Sequence, residues 1–79
     1  MWFVYILLCE DKSLYTGITN NLTTRLKKHK DGKGGHYTRA HKAVRIVYSE
    51  KFKTRSSALK REAQVKRLTK GEKTILITK

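Results

Sequence analysis

Val4-Tyr5-Ile6-Leu7-Leu8-Cys9, then Glu10-Asp11-Lys12-Ser13, then Leu14-Tyr15-Thr16-Gly17-Ile18-Thr19: this stretch decides the fold. Met1 to Cys9 is a short apolar run, rich in aromatic and β-branched types, and it ends in polar turn residues. Such a run reads as a strand buried on both faces. Leu14 to Thr19 reads as its hairpin partner. Side chains alternate along a strand, so Phe3, Tyr5 and Leu7 share one face, as do Tyr15, Gly17 and Thr19. The two tyrosines meet on the same face only if the residue numbers of cross-strand partners sum to an even number. A three-residue loop at Glu10-Asp11-Lys12 satisfies this and pairs Tyr5 with Gly17, leaving a hole beside the Tyr5 ring. A two-residue loop would send the tyrosines to opposite faces.

Working outward, Asn20 or Asn21 supplies an N-cap for a helix reaching about Lys30, because an asparagine side chain satisfies an unpaired N–H at a helix start. At about 100° per residue, Leu22, Leu26, Arg25 and His29 fall within one arc of roughly 100°. Arg25 and His29 therefore border the stripe that packs on the sheet. His29 is either a packed or solvated helix residue or a member of a site. Residues 31 to 42 form a glycine-rich basic segment, read as a helix C-cap at Gly32 and a connection, or as a nucleic-acid contact. The second reading draws on Lys33, His36, Tyr37, Arg39, His41 and Lys42, since cations and an aromatic on an adaptable backbone suit phosphates and bases. The segment lacks the spacing of a P-loop. With one cysteine in the chain and no helical i, i+4 pair among His29, His36 and His41, zinc is disfavoured.

Ala43 to Phe52 reads as a third strand, and Thr54 or Ser56 caps a second helix to about Leu68. On its wheel Val65, Ala58, Leu59 and Ala63 span roughly 160°, with Glu62 and Lys66 projecting from the middle. Glu62 is then either half of an i, i+4 ion pair with Lys66 or the ligand of a hard divalent ion. Elimination favours the ligand, because the other acids sit in turns or at element ends, leaving Glu62 as the acid expected to face the sheet. One inward carboxylate excludes a two-metal centre but allows a single ion held with waters and a phosphate oxygen. Residues 70 to 79 read as a short covering helix, although Ile75-Leu76-Ile77 has strand propensity. The elements run β-β-α-β-α-α, an α+β order.

Seventy-nine residues make one domain, residues 1 to 79. Nineteen Lys and Arg oppose six Asp and Glu, a net charge of +13. This excess repels itself unless a polyanion takes it up. Nucleic acid fits better than a membrane surface, because no expected helix carries the aromatic residues of an interfacial anchor. Cys9 alone gives neither a disulfide framework nor a cysteine-based zinc site. The apolar start is too short to span a bilayer and lacks the basic residues of a secretory signal, so a cytoplasmic monomer is expected.

Val4-Tyr5-Ile6, Tyr15-Thr16-Gly17 ten residues on, Arg25, His29 and the downstream Glu62 together resemble the GIY-YIG nuclease superfamily. Gly32-Lys33-Gly34 followed by Tyr37-Thr38-Arg39 is similar to a segment of its small stand-alone bacterial members. The likeness runs from residue 3 to about 75. It implies a three-stranded antiparallel sheet flanked by helices, and hydrolysis of a DNA (or RNA) phosphodiester with Mg²⁺ or Mn²⁺. Tyr5 would activate water with Tyr15 beside it, Arg25 would hold the scissile phosphate with His29 nearby, and Glu62 would hold the single ion. Lys66 joins Arg25 as a cation available to lower the Tyr5 pKa, and joins the basic segment as a nucleic-acid contact. Valine replaces the first glycine of the pattern, threonine its middle isoleucine, and no downstream asparagine stands where larger members have one. The rival reading is a non-catalytic nucleic-acid-binding module, and behind it a basic adaptor. Catalysis requires both phenols, the guanidinium and the carboxylate to meet over one surface of the sheet.

Overall fold

A computed structural model describes residues 1–33 and 41–78. Among these, strands β1 (Trp2–Cys9), β2 (Leu14–Thr19) and β3 (Ala43–Phe52) form one antiparallel sheet in the order β2-β1-β3. Helix α1 (Leu22–Lys30) follows β2, and α2 (Arg55–Lys66) and α3 (Lys70–Thr78) follow β3. The element order is the expected β-β-α-β-α-α. The most apolar strand takes the central position, where both its faces are covered: Val4, Tyr5, Ile6 and Leu7 are all buried.

The hairpin loop is the three-residue one. Cys9 N–H donates to Ser13 O at 3.0 Å and Lys12 N–H to Cys9 O at 2.9 Å, while Lys12 takes a left-handed conformation at φ 69°. That conformation closes a three-residue hairpin with the twist its strands need. The resulting register pairs Tyr5 with Gly17, Phe3 with Thr19 and Leu7 with Tyr15.

The even-numbered face of β1 carries the main core, in which Val4 and Ile6 pack with Ala58 and Val65 of α2. Leu14 and Ile18 of β2 and Leu76 and Ile77 of α3 close around them. The odd-numbered face is covered by α1, whose fully buried side chain is His29. Asn21 caps α1 by accepting Thr24 N–H at 3.0 Å, and Gly32 at φ 75° ends it with Lys33 N–H bonded to Lys28 O at 2.8 Å. Thr54 caps α2, which ends at Lys66, two residues before the expected Leu68. A reciprocal capping box starts α3: Glu72 accepts Thr69 N–H at 2.9 Å and Thr69 Oγ1 accepts Glu72 N–H at 3.1 Å. This box decides for helix over strand in the last segment.

Two expectations need correction here. Leu59 is 38% exposed and Ala63 is exposed, so the buried stripe of α2 is the narrower line of Ala58, Val65 and, beyond the helix, Leu68. Glu62 moves from its middle to its flank. Nor is Glu62 the only acid at the sheet. Glu50 pairs with Val4 and so shares its face, under α2. There it accepts Tyr48 Oη–H at 2.6 Å and Arg61 Nε–H at 3.1 Å, with Arg61 Nη2 at 3.0 Å.

Burial pushes Glu50 up, but the hydrogen bonds from Arg61 and Tyr48 outweigh it and hold its carboxyl below the usual range. Its folded pKa is thus depressed, so the contribution is present above the ordinary value of 4.5 and is lost as the pH falls through the lower folded value. Arg61→Ala is expected to cost about 1–2 kcal/mol at neutral pH in urea denaturation. The gap from wild type should close as the solution is taken below pH 4.5.

Candidate active site

Tyr5 is 1% exposed, and its hydroxyl lies 2.8 Å from His29 Nε2. Gly17 makes this possible. A Cβ at Gly17 would stand 2.6 Å from Tyr5 Oη and 2.8 Å from Cζ, so the ring lies directly across the glycine, and its hydroxyl reaches over the edge strand. Tyr15 completes a cluster of three rings, with centroids 6.5 Å from Tyr5 and 5.3 Å, edge-on, from His29. The hairpin register brings the tyrosines together, and the Arg25–His29 spacing on α1 brings the helix residues to them.

The electrostatics fix the protonation states. Burial, chiefly, raises the Tyr5 pKa well above the ordinary phenol value; Tyr15 and Glu62 add to this, and Arg25 opposes it. Burial also lowers the His29 pKa, and the Arg25 guanidinium lowers it further. At neutral pH the phenol is protonated and the imidazole neutral, so with the imidazole proton on Nδ1, Tyr5 Oη–H donates and His29 Nε2 accepts. The expectation that Arg25 and Lys66 would lower the Tyr5 pKa is therefore reversed. Arg25 does pull downward, but removing a phenolate from water costs more than one guanidinium restores.

Glu62 does not meet Tyr5 over a single surface, so the condition placed on catalysis above fails as stated, and a shared site requires the two groups to meet around a sheet edge instead. Its helix lies under the even face with Val4 and Ile6, whereas Tyr5 lies on the odd face with His29. The carboxylate charge nevertheless reaches the phenol. The Tyr5 hydroxyl stands over β2, the sheet edge, and α2 packs beneath β1 and that same strand. The two groups thus approach each other around the edge. The Glu62 side chain is 17% exposed and pairs with Lys66 Nζ at 3.4 Å, and Lys66 itself is 54% exposed. Both sequence readings of Glu62 keep a foothold, because a surface i, i+4 pair is worth only a few tenths of a kcal/mol (~0.3–0.5) and yields readily to a stronger cation.

Among the described residues no group of three or more His, Cys, Asp or Glu gathers as metal ligands. One shielded carboxylate is a donor that suits Mg²⁺ or Mn²⁺, which take one or two carboxylates and fill the remaining positions with water and other oxygens. Glu62 fits that description.

Of the basic-segment residues, Lys33 is exposed after α1, and Lys42 is exposed before β3, at φ 55°. His36, Tyr37 and Arg39 lie outside the described residues. The sequence reading missed the pairing of His41 Nδ1 with Asp11 Oδ2, which, with Glu10 N–H bonded to Lys42 O at 2.9 Å, ties the start of β3 to the hairpin loop. A histidine and an aspartate 30 residues apart gave no local signal of this contact.

The comparisons with known proteins agree with this fold. A family profile described as the GIY-YIG catalytic domain matches residues 1–74. A UPF0213 protein of Clostridium perfringens is 49% identical over 78 residues, covering 99% of this chain and 84% of that protein. One from Bacillus velezensis is 48% identical over 71 residues, covering 90% and 72%. The solution NMR structure of a UPF0213 protein from Bacillus halodurans superposes with a TM-score of 0.61 at 40% identity, covering 99% of this chain and 84% of that one. No helix among the described residues is long and apolar enough to cross a membrane. The chain belongs to the GIY-YIG catalytic domain family, whose members are generally nucleases, and its relatives are small bacterial UPF0213 proteins.

Proposed function

We propose that the protein is a divalent-metal-dependent endonuclease that hydrolyses DNA phosphodiester bonds and selects its substrate by structure rather than by sequence. The observation that carries this reading is the buried Tyr5–His29 hydrogen bond at 2.8 Å, with Arg25 and Glu62 in electrostatic reach of the phenol. A buried phenol with a raised pKa is a poor base alone. Bonded to a neutral imidazole, it becomes a relay.

Tyr5 Oη takes a proton from the attacking water as its own proton passes to His29 Nε2, so no free phenolate forms in the buried site. The nascent hydroxide attacks phosphorus in line, the bond to the leaving ester oxygen breaks, and that oxygen is protonated from solvent. Arg25 donates to non-bridging phosphate oxygens and stabilises the charge that builds there. Tyr15 packs edge-on against His29 and keeps the imidazole in line with the phenol. Glu62 would hold Mg²⁺ or Mn²⁺, which when bound supplies Lewis-acid neutralisation of phosphate charge. The chain is small for reading a long base sequence, and its +13 charge favours backbone contact.

The test is cleavage of branched, nicked, flapped and single-stranded substrates with Mg²⁺ or Mn²⁺. Arg25→Ala and Glu62→Gln should each remove cleavage and keep most of the binding. The second reading, a binding module without turnover, draws on the Glu62–Lys66 pair and the raised phenol pKa. It predicts strongly salt-dependent binding and no products.

The relay also sets a pH dependence. His29 must be neutral to accept the proton, and its pKa lies below the ordinary 6.5. Single-turnover cleavage should therefore hold level on acidification through 6.5 and decline only at lower pH. A decline centred above that value would place the titrating group elsewhere.

A further inference from the structure

Two adjoining cavities open on the sheet face opposite Tyr5, between the hairpin loop and α3. One, about 220 Å³, is lined by Ser13, Leu14, Lys70 and Lys73. The other, about 240 Å³, shares Leu14 and Lys70 with it. Its floor is apolar, made by Leu8, Leu14, Val47 and Ile77, and Lys12 and Arg45 stand at its rim. Neither cavity is lined by Tyr5, Arg25 or Glu62, so neither belongs to the candidate active site.

We infer that these cavities take one unpaired nucleotide of the bound strand, its base over the apolar floor and its phosphate between Lys70 and Lys73. The inference rests on the nucleic-acid reading above. Three observations favour this occupant. Lys73 is half-buried and has no ion pair among the described residues, an arrangement that asks for an anion. Burial and then the nearby Lys66 lower its pKa, the mark of a cation without its counter-charge. Lys66 also pairs with Glu62 at 3.4 Å, so a line of charge runs from the candidate active site through Lys66 to Lys73. A strand leaving the scissile phosphate around the β2 edge would follow that line into the cavities. The Ser13 hydroxyl is committed to Asp11, so the lysine ammoniums are the phosphate donors. A flat, partly apolar pocket with cations on its rim suits an unstacked base, which a fully paired duplex does not offer.

The test compares binding of a duplex with a single-stranded tail against a blunt duplex of equal length, by fluorescence anisotropy. Thr74 lines the apolar cavity from the exposed side of α3, so Thr74→Trp fills the cavity without changing charge. Thr74→Trp should weaken tailed binding by about tenfold, towards the blunt value, and leave blunt binding unchanged. Lys73→Gln should lower the salt slope of tailed binding by about one. Equal binding of both substrates by Thr74→Trp and wild type would overturn the pocket while leaving the nucleic-acid reading intact. No binding of either substrate by wild type would overturn both. Loss of binding to phosphatidylglycerol vesicles in Thr74→Trp, with tailed binding untouched, would assign the pocket to lipid and overturn it too. Should Thr74→Trp not fold, wild-type NMR shifts on adding a thymidine tetranucleotide must centre on Leu14, Arg45 and Lys73; shifts confined to α1 would overturn the inference.

Discussion

Gly17→Ala is expected to cost about 1–3 kcal/mol of stability and, with the phenol displaced by about 1 Å, about a hundredfold in cleavage. The added Cβ would lie 2.6 Å from Tyr5 Oη, far inside contact distance. Flexible side chains usually relieve such a clash by moving. Tyr5 has little freedom to do so, being fully buried, bonded to His29 and flanked by Tyr15. Any swing of the ring breaks the 2.8 Å hydrogen bond and leaves a buried imidazole nitrogen without its donor. The backbone at Gly17 is ordinary strand, so the effect is steric alone. Gly32→Ala is the matched control. Its φ of 75° is unfavourable for alanine, but a Cβ there meets nothing within 4 Å. It should lose about 1–2 kcal/mol with cleavage unchanged at a temperature where both proteins are folded. Thermal melts and single-turnover cleavage, read together, separate the two.

Tyr5→Phe is the second large effect. The ring and its packing stay, so the fold persists with a loss of about 1 kcal/mol. Cleavage should fall by about 10²–10⁴ because the first acceptor of the water proton is gone. His29→Ala should fall by a similar factor through the other half of the relay. The informative measurement is the double variant. Groups that act as one unit are not additive, so Tyr5→Phe with His29→Ala should be little worse than either alone. Independent roles would instead multiply the two losses.

Much of this arrangement was legible in the chain. Strand alternation places Tyr5, Gly17 and Tyr15 on one face given a three-residue loop, one of the two lengths the sequence left open, whereas the hole expected beside the Tyr5 ring is filled by that ring, which lies across Gly17. The Arg25–His29 spacing turned both residues towards the sheet, though not to the extent that made His29 the buried anchor of α1 while Leu22 and Leu26 remained partly open. The setting of Glu62 was not legible. A wheel counts Leu59 and Ala63 as core, but which apolar residues a helix buries depends on where its neighbours stand, and Ala58 and Val65 claimed the contact with Val4 and Ile6. Nor does a wheel say which face of the sheet a helix will cover. The Glu50–Arg61 pair was within reach, since alternation from Tyr48 through Phe52 turns Glu50 to the core side. The sign of the Tyr5 shift depended on burial depth, which a list of neighbouring charges does not contain.

The central claim is that Glu62 and the Tyr5–His29 pair, carried on opposite faces, form one metal-assisted site at the β2 edge. A Mn²⁺ titration followed by paramagnetic broadening of the protein's NMR signals tests it most directly. Broadening is predicted to centre on Glu62, reach Tyr5 and Gly17, and disappear in Glu62→Gln. Broadening that survives that substitution, or that centres on Asp11 or Glu72, would contradict the account.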